Sequence, residues 1–196
     1  MTRPNGSLHS LLASLDFAST RGLATMLVGP DAPPNHGTVV VSCDERRYIV
    51  DASILHGEPL ELGRDEPACA PQQAWSAHLT NHDGQLLIHW RALHNPDGVD
   101  CRIERTDVAA ALYLELYERS RSRGPFNQQL CGRRNRGNSV IGTAFGQRTS
   151  FEADGTVHRR ALPAAQRLAF LVEELGISEE YAAMVPPDAP APPPPA

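Results

Sequence analysis

The sequence predicts an α+β fold: an antiparallel, barrel-like β domain with flanking helices and a C-terminal α/β lid. Three observations carry this reading. Residues 22 to 105 hold five short strand-like runs separated by tight-turn residues, the pattern of an antiparallel sheet that curls toward a barrel. Helical spacing of apolar residues appears at the chain start, around residue 112 and around residue 170. The order helix, strands, helix, strands, helix shows no internal repeat and fits an α+β chain.

The first helix is read from Leu8, Leu11, Leu12 and Leu15, which fall at i, i+3, i+4 and i+7, with Asn5 or Ser7 capping the first turn. Strands are expected at Leu23 to Val28, Thr38 to Ser42, Tyr48 to Val50, Leu86 to Trp90 and Cys101 to Ile103. Gly29-Pro30-Asp31 and Pro33-Pro34 precede the second, Asp44-Glu45-Arg46 joins it to the third, and Asp83-Gly84 precedes the fourth. A second helix runs from Asp107 to about Ser122, with Ala111, Leu112, Leu114, Leu116 and Tyr117 as its apolar positions and Gly124-Pro125 as its stop. Val140 to Phe145 and Arg148 to Phe151 read as two further strands, after which Asp154-Gly155 turns the chain into Thr156 to Arg160. The last helix, from about Pro163 to Leu175, places Leu168, Leu171, Val172 and Leu175 on one face and ends at Gly176. Beyond Met184 the proline-rich tail reads as disordered or polyproline II. The expected organisation is a helical remnant (1–21), the barrel-like domain (22–105), the α/β lid (106–184) and the tail (185–196).

Composition excludes several classes. At 196 residues, 41% hydrophobic and 21% charged, the chain suits a globular protein, and no stretch approaches the roughly 20 apolar residues of a membrane span. No basic region followed by an apolar core opens the chain, so a cytoplasmic location is expected, with no membrane partner. The net charge of −5 argues against nucleic acid as a partner. The locally basic run Arg133-Arg134-Asn135-Arg136 reads as a solvated turn, with an anion contact left open by Gly132 and Gly137. Cys43, Cys69, Cys101 and Cys131 are spaced by 26, 32 and 30 residues, without the close pairs of zinc knuckles or disulfide frameworks. His78, His82, His89 and His94 form no set at tight ligand spacing, so no metal is expected.

The residues with chemical promise are His36 and Asp51. His36 stands at the mouth of an apolar strand, after two prolines and before a glycine, and Asp51 follows Tyr48-Ile49-Val50 at the end of the next strand. A hairpin turn at residues 44 to 46 makes the strands antiparallel and brings Thr38 opposite residues 50 to 52, with His36 close to Asp51. A carboxylate there would fix the imidazole tautomer and stabilise its protonated form, as a thiol-activating histidine requires. The bland alternative is an exposed turn histidine and a strand-terminating aspartate.

Several segments, in order, resemble the arylamine N-acetyltransferase family. His36-Gly37-Thr38-Val39-Val40-Val41, Arg47 to Asp51 and Glu58-Pro59-Leu60 look like its histidine strand and aspartate strand. Asn5-Gly6-Ser7-Leu8 through Asp16-Phe17 is similar to the helix after its nucleophilic cysteine. Gly124-Pro125-Phe126-Asn127 is similar to a Ser-Pro-Phe-like turn, and Asp154-Gly155 through Leu175-Gly176-Ile177 to the closing strand and helix. The resemblance spans residues 5 to 178.

It implies a cysteine-proteinase-like superfold and ping-pong acyl transfer by a Cys-His-Asp triad. Acetyl-CoA would be the co-substrate and a small-molecule amine the acceptor, with His36 as base and Asp51 as its orienting carboxylate. Asn35, Ser53 and Gly57 become pocket candidates, although Ser53 stands where the family commonly has glycine, and His56 reads as a loop histidine. The position of the family's cysteine falls at Met1 or Thr2, and neither is a thiol. A misassigned start codon or truncated gene is the favoured explanation, ahead of a natural pseudoenzyme that only binds ligands, or a nucleophile from elsewhere. As written, the chain would lack the acyl-transfer activity. Macrolactam-forming amide synthases, which use the same triad, are the nearest enzymatic alternative. A missing domain should also leave an apolar patch by the first helix and a marginally stable chain.

Overall fold

The computed structural model describes residues 3–27, 32–53, 58–63, 68–70, 76–121 and 127–188. Two compact units emerge: Met1–Gln72 with Ser76–Gly124, and Pro125–Ala196 with Gln73–Trp75.

The first unit is built on eight strands: β1 (Ala18–Met26), β2 (His36–Cys43), β3 (Arg46–Val50), β4 (Leu60–Glu61), β5 (Ala68–Ala70), β6 (Ala77–His82), β7 (Gln85–Ala92) and β8 (Asn95–Arg105). They pair in the order β4-β3-β2-β1-β8-β7-β6-β5. Every pairing is antiparallel. The two edge strands approach one another, so the sheet is a nearly closed barrel. The β2–β3 hairpin turns on Asp44 and Glu45, both in the left-handed region at φ 49° and 62°, the geometry whose twist matches the strands it joins. Apolar side chains meet across successive registers. Val40 faces Ile49, Ile49 faces Leu60, Leu79 faces Ile88 and Ile88 faces Cys101, all buried, and they fill the inner face of the sheet.

On the other face α2 (Ala110–Arg121) packs beside β1, where Leu23, Val108 and Tyr113 form a cluster joined by Leu112 and Leu116. Tyr113 explains the glycine after His36. A Cβ at Gly37 would collide with the Tyr113 ring and its hydroxyl oxygen, so any side chain there would force Tyr113 to shift.

Helix α1 (Arg3–Ser14) begins earlier than the spacing predicts, which puts Asn5 inside its first turn and not at its cap. Its expected apolar face is only partly used. Leu8 and Leu12 are half-buried, whereas Leu11, Leu15 and the following Phe17 are exposed. Strand β1 also starts earlier than expected, and β4, β5 and β6 were not foreseen, being short or polar.

The second unit is a four-stranded antiparallel sheet in the order β12-β11-β10-β9, with β9 (Cys131–Arg136), β10 (Ser139–Ala144), β11 (Gln147–Phe151) and β12 (Val157–Ala161). Strand β9 corrects the reading of residues 133 to 136 as a turn. Its arginines serve the helix that follows the sheet, α3 (Ala164–Ala169), which continues as a π-helical turn over Phe170–Glu174. Arg136 donates to the Glu174 carbonyl at 2.9 Å and pairs with the Glu174 carboxylate at 2.9 Å, satisfying the negative end of the helix. Arg134 lies over Gly176, whose φ of +73° reverses the chain. The wider π turn alters which residues face inward. Phe170 and Leu171 are buried, and Leu168, expected on the buried face, is exposed. A short α4 (Glu179–Met184) follows. Turn residues 29–31, Gly124-Pro125 and the tail from residue 189 lie outside the described residues.

Candidate active site

The site lies where β2 begins and β3 has just ended. Extending the Val39–Val50 register by one step brings Asp51 opposite Thr38, and by three brings Ser53 opposite His36. The strand period of two then turns His36, Asp51 and Ser53 to the same inner face. His36 and Asp51 meet there: Nε2 stands 2.6 Å from Oδ2, with side chains only 4% and 1% exposed. The alternative of an exposed turn histidine therefore does not hold.

Asp51 gathers more donors than its partner alone. Oδ1 accepts from Asn5 Nδ2 at 2.8 Å, from the Ser53 amide at 2.9 Å and from the Ser53 hydroxyl at 2.6 Å. Burial by itself would raise the Asp51 pKa. The positive charge of His36 and hydrogen bonds from His36, Ser53 and Asn5 outweigh it and hold the carboxyl well below the usual carboxylate range. Asp51 is thus a carboxylate that only accepts, so the His36 nitrogen facing it carries a proton. The neutral ring then has its lone pair on Nδ1, which has no hydrogen-bond partner among the described residues. Such a ring takes a proton through Nδ1 while the protein grips it through Nε2.

Asn5 is fully buried and was missed as a site residue. Its amide protons go to the Gly37 carbonyl and to Asp51, and its oxygen accepts from the Ala52 amide at 2.8 Å. The contacts bridge 32 to 47 positions, too far for any local pattern to reveal. Ser53, named from the sequence as a pocket candidate, stands two residues beyond Asp51 and so shares its face.

Asn35, a pocket candidate, is engaged elsewhere: its side chain accepts from the Met26 amide at 2.8 Å and donates to the Met26 carbonyl at 3.3 Å, clipping β2 to β1. His56 and Gly57 lie outside the described residues. Ser53 does not stand as nucleophile to this base. Its hydroxyl donates to Asp51, and the ring nitrogen 3.5 Å away is the one Asp51 already holds. Cys43 is exposed at the far end of β2, seven residues and about 23 Å along the strand from His36. Cys101 is on the inner face, but burial, with the charges of Asp51, Glu104 and Asp100, pushes its thiol far above the ordinary range. Cys69 falls on β5, and Cys131 is exposed on β9 in the second unit.

A nearly closed antiparallel barrel with flanking helices is the fold of the arylamine N-acetyltransferases. Solved members superpose over most of the chain. The enzyme from Mycobacterium abscessus matches at a TM-score of 0.71 and 14% identity, covering 91% of this chain and 68% of that one. The Mycobacterium marinum enzyme in complex with CoA gives 0.71 and 14%, covering 91% and 69%. That from Salmonella typhimurium gives 0.67 and 14%, covering 92% and 72%. At such identities the likeness is one of fold. No protein-family model and no curated sequence matches the chain. Among the described residues no helix is long and apolar enough to cross a membrane.

Proposed function

We propose that this chain carries the base and orienting carboxylate of a thiol-dependent acyltransferase, moving an acetyl or related acyl group from a CoA thioester to an arylamine or similar amine. The observation that supports it is the buried His36–Asp51 pair at 2.6 Å, with Nδ1 left open, in the fold described above. In this reading a cysteine supplied just before α1 loses its proton to His36 Nδ1. The thiolate adds to the thioester carbonyl, the CoA sulfur leaves and takes up the proton, and an acyl-cysteine results. The acceptor amine then attacks, passing a proton through Nδ1 as the cysteine sulfur leaves. Asp51 keeps the ring oriented and stays ionised throughout.

Among the described residues, Cys43, Cys101 and Cys131 do not meet this requirement. The test starts from the DNA upstream of Met1. If an in-frame extension carries a cysteine, the extended protein should gain the mass of one acetyl group from acetyl-CoA and pass it to an arylamine. His36→Ala should cut the acylation rate by about 10²–10⁴-fold. Acylation that survives His36→Ala, or a stop codon directly upstream combined with CoA binding but no transfer, would replace this reading with a ligand-binding protein.

A further inference from the structure

We propose that Asn5 and Ser53 are positioning residues that clamp the Asp51 carboxylate so that only its Oδ2 faces His36 and Nδ1 remains the open ring nitrogen. The inference rests on the reading of His36 and Asp51 as base and orienter, and adds two residues to it. A carboxylate at the end of a strand turns readily about its last torsion, and its two oxygens are chemically alike. Here they are made unlike. Three donors converge on Oδ1, two from Ser53 and one from Asn5, while the ring proton of His36 meets Oδ2.

The halves of the clamp have different origins. Ser53 supplies a local one: its amide and hydroxyl reach back two residues in an Asx-type turn written by Asp51-Ala52-Ser53. Asn5 supplies the long-range half, from the first turn of α1. Its own orientation is fixed, because its NH₂ faces two acceptors, Gly37 O and Asp51 Oδ1, and its oxygen faces the Ala52 N–H. A flipped amide would oppose like groups at all three. Asn5 therefore ties β2, the residue after Asp51 and the carboxylate together, at a site with no exposure.

The competing view is that Asn5 merely anchors α1. Nitrogen-15 NMR of the His36 ring and carbon-13 NMR of the Asp51 carboxyl, recorded on the chain as it stands, separate the two. In the parent protein the neutral ring should carry its proton on Nε2 alone. Asn5→Ala should populate both tautomers and move the Asp51 titration to higher pH, and Ser53→Ala should do the same to a lesser degree. A folded Asn5→Ala protein with a lower melting temperature but an unchanged tautomer and an unchanged Asp51 titration would overturn the proposal. Should Asn5→Ala not fold, Ser53→Ala decides, since it leaves the α1 anchor in place: unchanged spectra overturn the clamp, and a mixed tautomer supports it. These spectra need no acyl donor, so failure of acyl transfer would sink the proposed function while leaving this result intact.

Discussion

Among the described residues the barrel contains two histidine–aspartate pairs of nearly the same length and opposite character. His36 and Asp51 meet at 2.6 Å with side chains 4% and 1% exposed, whereas His89 and Asp100 meet at 2.8 Å across β7 and β8 with both side chains 51% exposed. Distance alone would rank them as equals. What separates them is water: the exposed pair is screened and exchanges its partners for solvent at little cost, while the buried carboxylate of Asp51 must be satisfied by protein groups. Asn5, Ser53 and the His36 ring, brought close by the register of β2 on β3, provide that satisfaction at Asp51.

The comparison breaks most visibly if one member of the buried pair is removed. His36→Ala strands a buried carboxylate and should destabilise the first unit by about 3–5 kcal/mol, measured by urea unfolding. Gly37→Ala comes next, because its methyl would press on the Tyr113 hydroxyl; a loss of about 1–3 kcal/mol is expected in the same assay. The equivalent change in the exposed pair, His89→Ala, should cost less than about 1 kcal/mol, and that small difference should fade in molar salt.

Acid sharpens the contrast. Because the folded-state pKa of Asp51 is depressed, the unfolded chain binds more protons there as pH drops below the ordinary carboxylate value of about 4. The stability that Asp51 contributes is full above roughly pH 5 and drains away as pH falls toward the folded-state pKa. Unfolding midpoints measured from pH 7 down to pH 3 should fall more steeply for the parent than for Asp51→Asn. Equal slopes would mean that the carboxylate is not held as described.

The hairpin carrying the site was legible in the sequence for physical reasons. Val39 to Val41 and Tyr48 to Val50 are apolar runs, and a two-residue turn between them fixes the register, so the meeting of His36 and Asp51 follows from counting. Elsewhere the local signal was weak or misleading. Strand β4 has two residues and β5 three, and β6 alternates Ala, His, Leu, Thr, Asn and His, too polar to register as a strand. The arginines of β9 look like a solvated turn because an edge strand is often charged, and their use at a helix end 37 or more residues away is a tertiary fact. Asn5 resembles a helix cap because asparagine favours caps, yet its partners are the Gly37 carbonyl of β2 and the Asp51 and Ala52 groups just past β3.

The solitary burial of Asn5 has a consequence for the way mutations distribute along α1. Of the α1 side chains described, from Asn5 to Ser14, that of Asn5 alone is fully enclosed, while Ser7, Ser10, Leu11, Ala13 and Ser14 face outward. A library of every single substitution over residues 5–14 should therefore show its least tolerant column at Asn5, with milder losses at the half-buried Leu8, His9 and Leu12. That column would be paired statistically with positions 37 and 51 and not with its neighbours in sequence.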